Sequence, residues 1–178
     1  MKKNNFDVII IGGGQSGLAV GYYLRRTALS YLILDGESNP GGSWQHNWKS
    51  LRLFSPALWS SLPGVIMSGG ADYYPGRDEV VEYLSDYETK YNLPVERPVE
   101  VLSVLKRDNS YQLETSRGSY FAKTLVSATG TFRNPFIPSF PGIDLFRGKI
   151  IHSSQYWSPV AFKGKRVAVV GEGNSGAS

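Results

Sequence analysis

The stretch "FDVIIIGGGQSGLAVGYYLRRTALSYLILD", residues 6–35, limits the fold of this chain more than any other. Residues 6–11 form a short β-branched apolar run without polar alternation. That pattern predicts a strand buried on both faces. The glycines of 12–17 predict a turn. Residues 18–28 put Leu18, Tyr22 and Leu24 or Arg25 at helical spacing, which predicts a helix. Residues 31–35 predict a second buried strand that ends in an acid. Strand, glycine turn, helix and strand in this order make a βαβ unit, closing right-handed as a parallel pair. The chain is therefore expected to be an α/β protein.

Within the turn, Gly12, Gly14 and Gly17 stand in G-x-G-x-x-G register, and Asp35 follows at the end of the next strand. The spacing alone is weak, but its place between a strand and a helix is the context a dinucleotide fingerprint needs. Gly12 permits the tight turn, Gly14 lets backbone approach a pyrophosphate, and Gly17 allows close packing of helix on strand. The helix N-terminus offers unpaired N–H groups and a positive dipole end to phosphates. Asp35 is placed to accept hydrogen bonds from ribose hydroxyls. The competing reading is a tight turn of any α/β protein, with Asp35 a surface acid.

Residues 36–76 carry little regular pattern and many Gly, Pro and Ser, so a long functional or poorly ordered loop is expected. Inside it, "GGSW" (41–44) reads either as a flexible loop with a half-buried Trp or as a close backbone approach to a ligand walled by Trp44. Residues 77–91 place Val80, Val81, Leu84, Tyr87 and Tyr91 on one face behind an acidic first turn, which predicts an amphipathic helix. Strands are expected at 99–107, 110–116 and 119–123, with a hairpin turn at Arg117 and Gly118. A further buried strand at 124–130 ends in "SATG", whose small residues allow a ligand close to a sheet's carboxyl edge. A linker with Pro135, Pro138 and Pro141 leads to "GKIIHSS" (148–154). Residues 165–170 are expected as a strand before a second glycine turn, "GEGNSG", with Gly171, Gly173 and Gly176 in the same register. Two fingerprints in one chain imply two dinucleotides, one bringing electrons and one using them.

Composition removes several chemistries. The 178 residues contain no cysteine, which excludes disulfides, thiolate metal sites and thiol nucleophiles from this chain. Only two histidines, His46 and His152, argue against a zinc site. The net charge of +4 is scattered and reads as a solvated surface, not a nucleic-acid patch. The apolar run after the basic N-terminus is too short for a signal peptide, and no stretch approaches the ~20 apolar residues of a membrane span. A cytoplasmic protein is the expectation.

On these motifs the chain resembles the flavin-dependent monooxygenases of the flavin-containing monooxygenase and Baeyer–Villiger type. The resemblance runs through "IIIGGGQSGLA", "ILDGESNPGGSW", "YPGRDEVVEYLSDY", "VSATG" and "VVGEGNSGA". Its most specific part is "FRGKIIHSSQY" (146–156), which fits F-x-G-x-x-x-H-x-x-x-Y/F through Phe146, Gly148, His152 and Tyr156. Baeyer–Villiger enzymes usually carry Trp at the Tyr156 position, so the resemblance points away from ketone oxygenation. His152 reads either as a hydrogen-bonded linker residue or, on the full motif, as a hinge or cofactor-positioning residue.

The resemblance implies a Rossmann-like, two-dinucleotide flavoprotein fold with a small antiparallel β meander. It implies FAD at the first fingerprint and NADPH at the second. NADPH reduces the flavin, O2 adds at C4a to give a hydroperoxide, and a small-molecule amine or sulfur substrate takes the distal oxygen. Gly12, Gly14, Gln15, Ser16, Gly17, Asp35, Ser43, Trp44 and Gly130 are the implied FAD residues. Gly171, Gly173, Asn174, Ser175 and Gly176 are the implied NADPH residues. Arg52 and Ser55, in "LRLFSP", are candidates to approach the flavin. Residues 1–164 are expected as an FAD-binding domain lacking its return segment, and 165–178 as the opening of an NADP-binding domain. The chain is thus expected to be the N-terminal part of such an enzyme. The alternatives are a non-catalytic FAD-binding fragment and another NAD(P)H-dependent flavoprotein reductase.

Overall fold

A computed structural model describes residues 4–171 and residue 173. Its main elements are β1 (Asn5–Ile11), α1 (Gln15–Leu24), β2 (Tyr31–Leu34), α2 (Arg77–Lys90), β3 (Val95–Glu96), β4 (Val101–Arg107), β5 (Ser110–Thr115) and β6 (Gly118–Ser127). The strands form one six-stranded sheet in the order β3-β2-β1-β6-β5-β4. β1 pairs in parallel with β2 on one side and β6 on the other, and β2 in parallel with β3. β4, β5 and β6 form the antiparallel meander.

The apolar run of β1 is explained by its central place. Ile9 pairs with Leu32 and Leu125, and Ile10 with Ile33 and Val126. Val8, Ile10 and Ile33 pack with Leu18 and Tyr22 of α1 and with Val80, Leu84 and Tyr87 of α2. Ile9, Leu32 and Leu34 pack with Val99, Leu113, Tyr120 and Ala122. Both faces of β1 are therefore dry, as the absence of polar alternation predicts.

The structure corrects several boundaries. α1 starts directly after the turn, three residues before the predicted start, because the Leu18 N–H already donates to the Gly14 carbonyl. It ends at Leu24, where the Thr27 N–H and hydroxyl both donate to the Leu24 carbonyl and close the chain into a tighter turn. The strands expected at 119–123 and 124–130 are one ten-residue strand, β6, since no turn residue separates them. Its first part pairs with β5 and its later part with β1, so a single strand joins the meander to the parallel sheet. The hairpin loop is Ser116 and Arg117, one residue earlier than expected: Thr115 pairs with Gly118, which takes φ +105°. β3, with two residues, is too short to leave a sequence signal. Residues 166–170 form no strand, and Val167, Val169 and Val170 are exposed. Extended backbone becomes a sheet strand only against a ladder partner, and none of the described strands pairs with this segment.

Residues 36–76 are mostly irregular, with 3₁₀ turns at Gly42–His46 and Ala57–Ser60. This loop is anchored by α2. The hydroxyls of Tyr83, Tyr87 and Tyr91 donate to the carbonyls of Val65, Pro63 and Gly64 at 2.7, 2.7 and 2.9 Å. Among the described residues, no helix is long and apolar enough to cross a membrane.

Candidate functional site

The carboxyl ends of β1, β2 and β6 meet at one edge of the sheet. The chain leaves β1 toward β2 on one side, while β6 returns on the other, so β1 is a topological switch point. A cleft of about 1120 Å³ opens there, bounded by residues 11–16, 34–37, 41–44, 99–101 and 127–134, with His46 at its margin.

Each glycine of the first turn has a distinct physical reason. Gly12 takes φ +109°, and a Cβ there would run into the Ala128 carbonyl. A Cβ on Gly17 would strike the Gly12 carbonyl, so the helix sits directly on the turn. A Cβ on Gly13 would lie 2.5 Å from Asp35 Oδ2 and 2.7 Å from Arg97 Nη2. Gly14 differs: its φ of −84° suits any residue, and the nearest atom to a Cβ would be Gly42 Cα at 3.8 Å. Its bareness keeps cleft space open. Opposite it, Gly42 takes φ +53°, and a Cβ there would come within 2.8 Å of Gly14 Cα. The first turn and the "GGSW" loop thus meet backbone to backbone.

α1 begins at this turn with no side-chain cap and no acid in its first turn. Its leading N–H groups and positive dipole end have no anionic side chain of their own helix to satisfy them. Gln15 and Ser16 are exposed on the cleft wall.

Asp35 lines the cleft but is only 5% exposed. Its backbone is fixed on both sides: its N–H donates to the Glu96 carbonyl, and its carbonyl accepts from the Val99 N–H. Arg97 Nε donates to Asp35 Oδ2 at 2.8 Å, while Arg97 Nη1 and Nη2 donate to Glu88 Oε1 and Oε2 at 2.6 and 2.7 Å. Burial pulls the Arg97 pKa down, but the two carboxylates outweigh it and raise it. At the cleft mouth, Arg133 Nη2 donates to Glu37 Oε1 at 3.0 Å and His46 Nε2 lies 2.9 Å from Glu37 Oε2. Burial pushes the Glu37 carboxyl up, yet the hydrogen bonds from Arg133 and His46 hold it below its ordinary value.

A second pocket of about 300 Å³ adjoins the cleft and shares Ser43, Trp44, Thr131 and Phe132 with it. His152 lines this pocket. The backbone N–H of Ser154, which can only donate, points at His152 Nδ1 at 3.1 Å. A neutral His152 therefore carries its proton on Nε2. The imidazole caps the 3₁₀ turn Ser153–Gln155. Tyr156 packs edge-on against Trp48, with ring centroids 5.8 Å apart, and Arg77 lies 5.2 Å over the Trp157 ring. These contacts hold the His152 segment against the loop that carries Trp44.

Gly12, Gly14, Gln15, Ser16, Asp35, Ser43, Trp44 and Gly130 all line the main cleft, and Gly17 lies beneath it. Arg52 and Ser55 line neither cavity. Arg52 Nη1 donates to the Tyr74 carbonyl at 2.8 Å, and Ser55 pairs with Ser60. In the second glycine turn, Gly171 takes φ +129° and Gly173 is exposed, while Asn174, Ser175 and Gly176 lie outside the described residues. Sequence reasoning missed Gly13, Glu37, Arg97 and Arg133. The middle glycine of "GGG", outside the fingerprint spacing, was the one available signal for Gly13, whereas Arg97 reaches the site from a chain position 62 residues beyond Asp35.

Comparison with known proteins places this geometry. The family described as pyridine nucleotide-disulphide oxidoreductase matches residues 9–178. The solved flavin-containing monooxygenase from Stenotrophomonas maltophilia is 49% identical, with a TM-score of 0.92 over 98% of this chain and 53% of that one. An uncharacterized CzcO-like oxidoreductase of Geobacillus kaustophilus is 40% identical over 96% of this chain and 49% of its own length. A steroid monooxygenase solved with NADP bound is 27% identical, with a TM-score of 0.73 over 97% of this chain and 35% of that one. The chain spans about half the length of the curated relatives it matches.

Proposed function

From the premise that this chain belongs to the pyridine nucleotide-disulphide oxidoreductase family and has flavin monooxygenases as its structural neighbours, we propose that it carries the FAD site of an NADPH-dependent monooxygenase. The whole protein would place one oxygen atom from O2 on a soft nitrogen or sulfur of a small-molecule substrate. Residues 1–164 are the FAD-binding unit on this reading, and 165–178 open the NADP-binding unit.

The observation that carries the reading is the bare backbone cradle of Gly14 and Gly42, set at an α1 N-terminus free of acids. Such a cradle suits a pyrophosphate, which needs close backbone approach and N–H donors. Gln15 and Ser16 bring the first helical N–H groups. Asp35 would hold the adenosine ribose, and Ser43, Trp44 and Gly130 would wall the cleft. Bound FAD supplies the electron-transfer and oxygen chemistry, and the chain's residues bind it, orient it and limit water at the reacting edge. His152 keeps its Nδ1 as an acceptor and thereby positions the Ser153–Gln155 turn beside the Trp44 wall. This supports a positioning role for the F-x-G-x-x-x-H-x-x-x-Y motif.

The test is flavin content and turnover in the full-length protein that carries this chain. FAD binding at a 1:1 ratio, with NADPH oxidation and oxygen uptake coupled to sulfoxide or N-oxide formation, is the expected result. A protein that binds no flavin, or oxidises NADPH only with disulfide reduction, overturns the proposal.

A further inference from the structure

Arg97 lies beneath the glycine turn, where a Cβ on Gly13 would come within 2.7 Å of its Nη2. Its side chain is 11% exposed, and those of its two partners, Asp35 and Glu88, are 7% and 18% exposed. The three come from three separate parts of the fold: the end of β2, the last turns of α2 and the segment after β3. Two carboxylates share one guanidinium, so the cluster holds a net negative charge away from water. Desolvating such a cluster is costly, and well-packed apolar side chains would serve stability at least as well. The costly arrangement is set against the cleft, and its one cleft-lining member is Asp35.

The hydrogen bonds divide the work. Glu88 takes both terminal nitrogens of Arg97 in a fork, which fixes the guanidinium plane. The remaining Nε then holds Asp35 Oδ2 at 2.8 Å. Among the described residues, Asp35 Oδ1 has only a long contact of 3.3 Å from the Glu37 N–H. One carboxylate oxygen is thus locked and the other keeps acceptor capacity. Gly13 completes the arrangement, since a side chain there would displace both the carboxylate and the guanidinium.

We propose that Arg97, held by Glu88, is a positioning residue that orients Asp35 for the ribose of the adenosine half of FAD and so makes the cleft select FAD over FMN. The proposal rests on the FAD reading given above. FMN lacks the adenosine, so a residue that acts through Asp35 affects FAD binding alone. A residue that merely supports the fold affects both flavins together.

The experiment measures FAD and FMN dissociation constants by flavin fluorescence titration of the full chain in its apo form. The variants are Arg97→Lys, Glu88→Gln, Asp35→Asn and the double variant Arg97→Lys/Asp35→Asn, with the thermal transition of each recorded. Lysine keeps the charge but cannot hold both carboxylates in one plane. Arg97→Lys is expected to weaken FAD about tenfold, the scale of one hydrogen bond to a charged group, and to leave FMN unchanged. The double variant should bind FAD no more weakly than Asp35→Asn alone, because both changes break one chain of action. Glu88→Gln, which keeps an acceptor and removes a charge, should show a smaller loss in the same direction and covers the case in which Arg97→Lys fails to fold. Equal weakening of FAD and FMN, no weakening of either, or full additivity with Asp35→Asn overturns the proposal. Wild-type chain that binds neither flavin overturns the FAD reading itself.

Discussion

Gly14 and Gly42 face each other without side chains across 28 residues of sequence, and a Cβ added to Gly42 would come within 2.8 Å of the Gly14 Cα. The two glycines are constrained differently. Gly42 is held by the fold, through a positive φ and contact with backbone. Gly14 is free of both constraints, and its missing side chain leaves only cleft space.

Substituting each by alanine should therefore separate folding from binding. Gly42→Ala is expected to cost about 1–2 kcal/mol for the left-handed backbone alone, and more from the overlap with Gly14. Gly14→Ala should leave the thermal transition within a few degrees of the parent and weaken FAD at least tenfold, since a methyl group enters the phosphate approach. Calorimetry and flavin titration of both variants check this. Retained FAD affinity in a folded Gly14→Ala chain would place the cofactor elsewhere.

Tyr83 and Tyr87 of α2, and Tyr91 just after it, should act as separate anchors of the long loop. Tyr87 is 1% exposed and donates to the Pro63 carbonyl. Tyr87→Phe removes that bond while keeping the ring, and leaves the half-buried Pro63 carbonyl short of a donor. A loss of about 1–3 kcal/mol is expected in chemical denaturation. Amide exchange around residues 62–65 should rise above the global change, because the lost bond is local.

How far the sequence foretold this arrangement depends on the range of the interaction. β1, the glycine turn and α2 were legible because their signals are local: a run without alternation, fixed glycine spacing, and Val80, Leu84 and Tyr87 at helical intervals. The contacts that shape the cleft are long-range. Nothing near Arg97 announces a carboxylate at Asp35, and the Arg133–Glu37 pair joins residues 96 apart. The exposed valines of 166–170 show the converse limit. β-branched composition marks what suits a strand, but a strand also needs a partner that composition does not name. Glycine spacing likewise marked Gly12, Gly14 and Gly17, while the role of Gly13 appears only once Asp35 and Arg97 are folded beneath it.

Stability should fall on the alkaline side, in part through Tyr120. Its hydroxyl donates to Glu96 Oε2 at 2.6 Å. Burial first, then the hydrogen bond and charge of Glu96, push its pKa up to about 12 from an ordinary 10.0. Below pH 10 the phenol is protonated in both folded and unfolded chains, and its contribution is fully present. Between 10 and 12 only the unfolded chain releases the proton, so stability declines as pH rises. Tyr31, Tyr83 and Tyr87 are raised in the same direction and add to the decline. Tyr120→Phe should make urea midpoints measured between pH 9.5 and 11.5 fall less steeply than in the parent, while the other tyrosines keep a residual slope.

On the acid side, the tie across the cleft mouth should open before the core does. Arg133 belongs to the loop after β6 and Glu37 to the loop after β2, so their pair links two walls of the cleft. Burial raises the Glu37 carboxyl, but hydrogen bonds from Arg133 and His46 lower it further, and the net direction is down. For a depressed carboxylate the contribution is complete above the unfolded value, ordinarily 4.5, and is lost as pH falls toward the folded one. Arg133 is 52% exposed, so solvent screens the pair and its effect on global stability should be under about 1 kcal/mol. The effect should instead appear locally. Arg133→Ala is expected to speed amide exchange at residues 130–134 at pH 7 while the thermal transition stays almost unchanged. Lowering the parent from pH 5 to pH 3 should raise exchange at the same residues, after correction for the intrinsic pH dependence of the amides. Glu37→Gln should remove that pH response. A response that survives in Glu37→Gln would assign the acid transition to another carboxylate, with Glu100, whose Oε1 lies 3.5 Å from Arg133 Nη1, as the first to test.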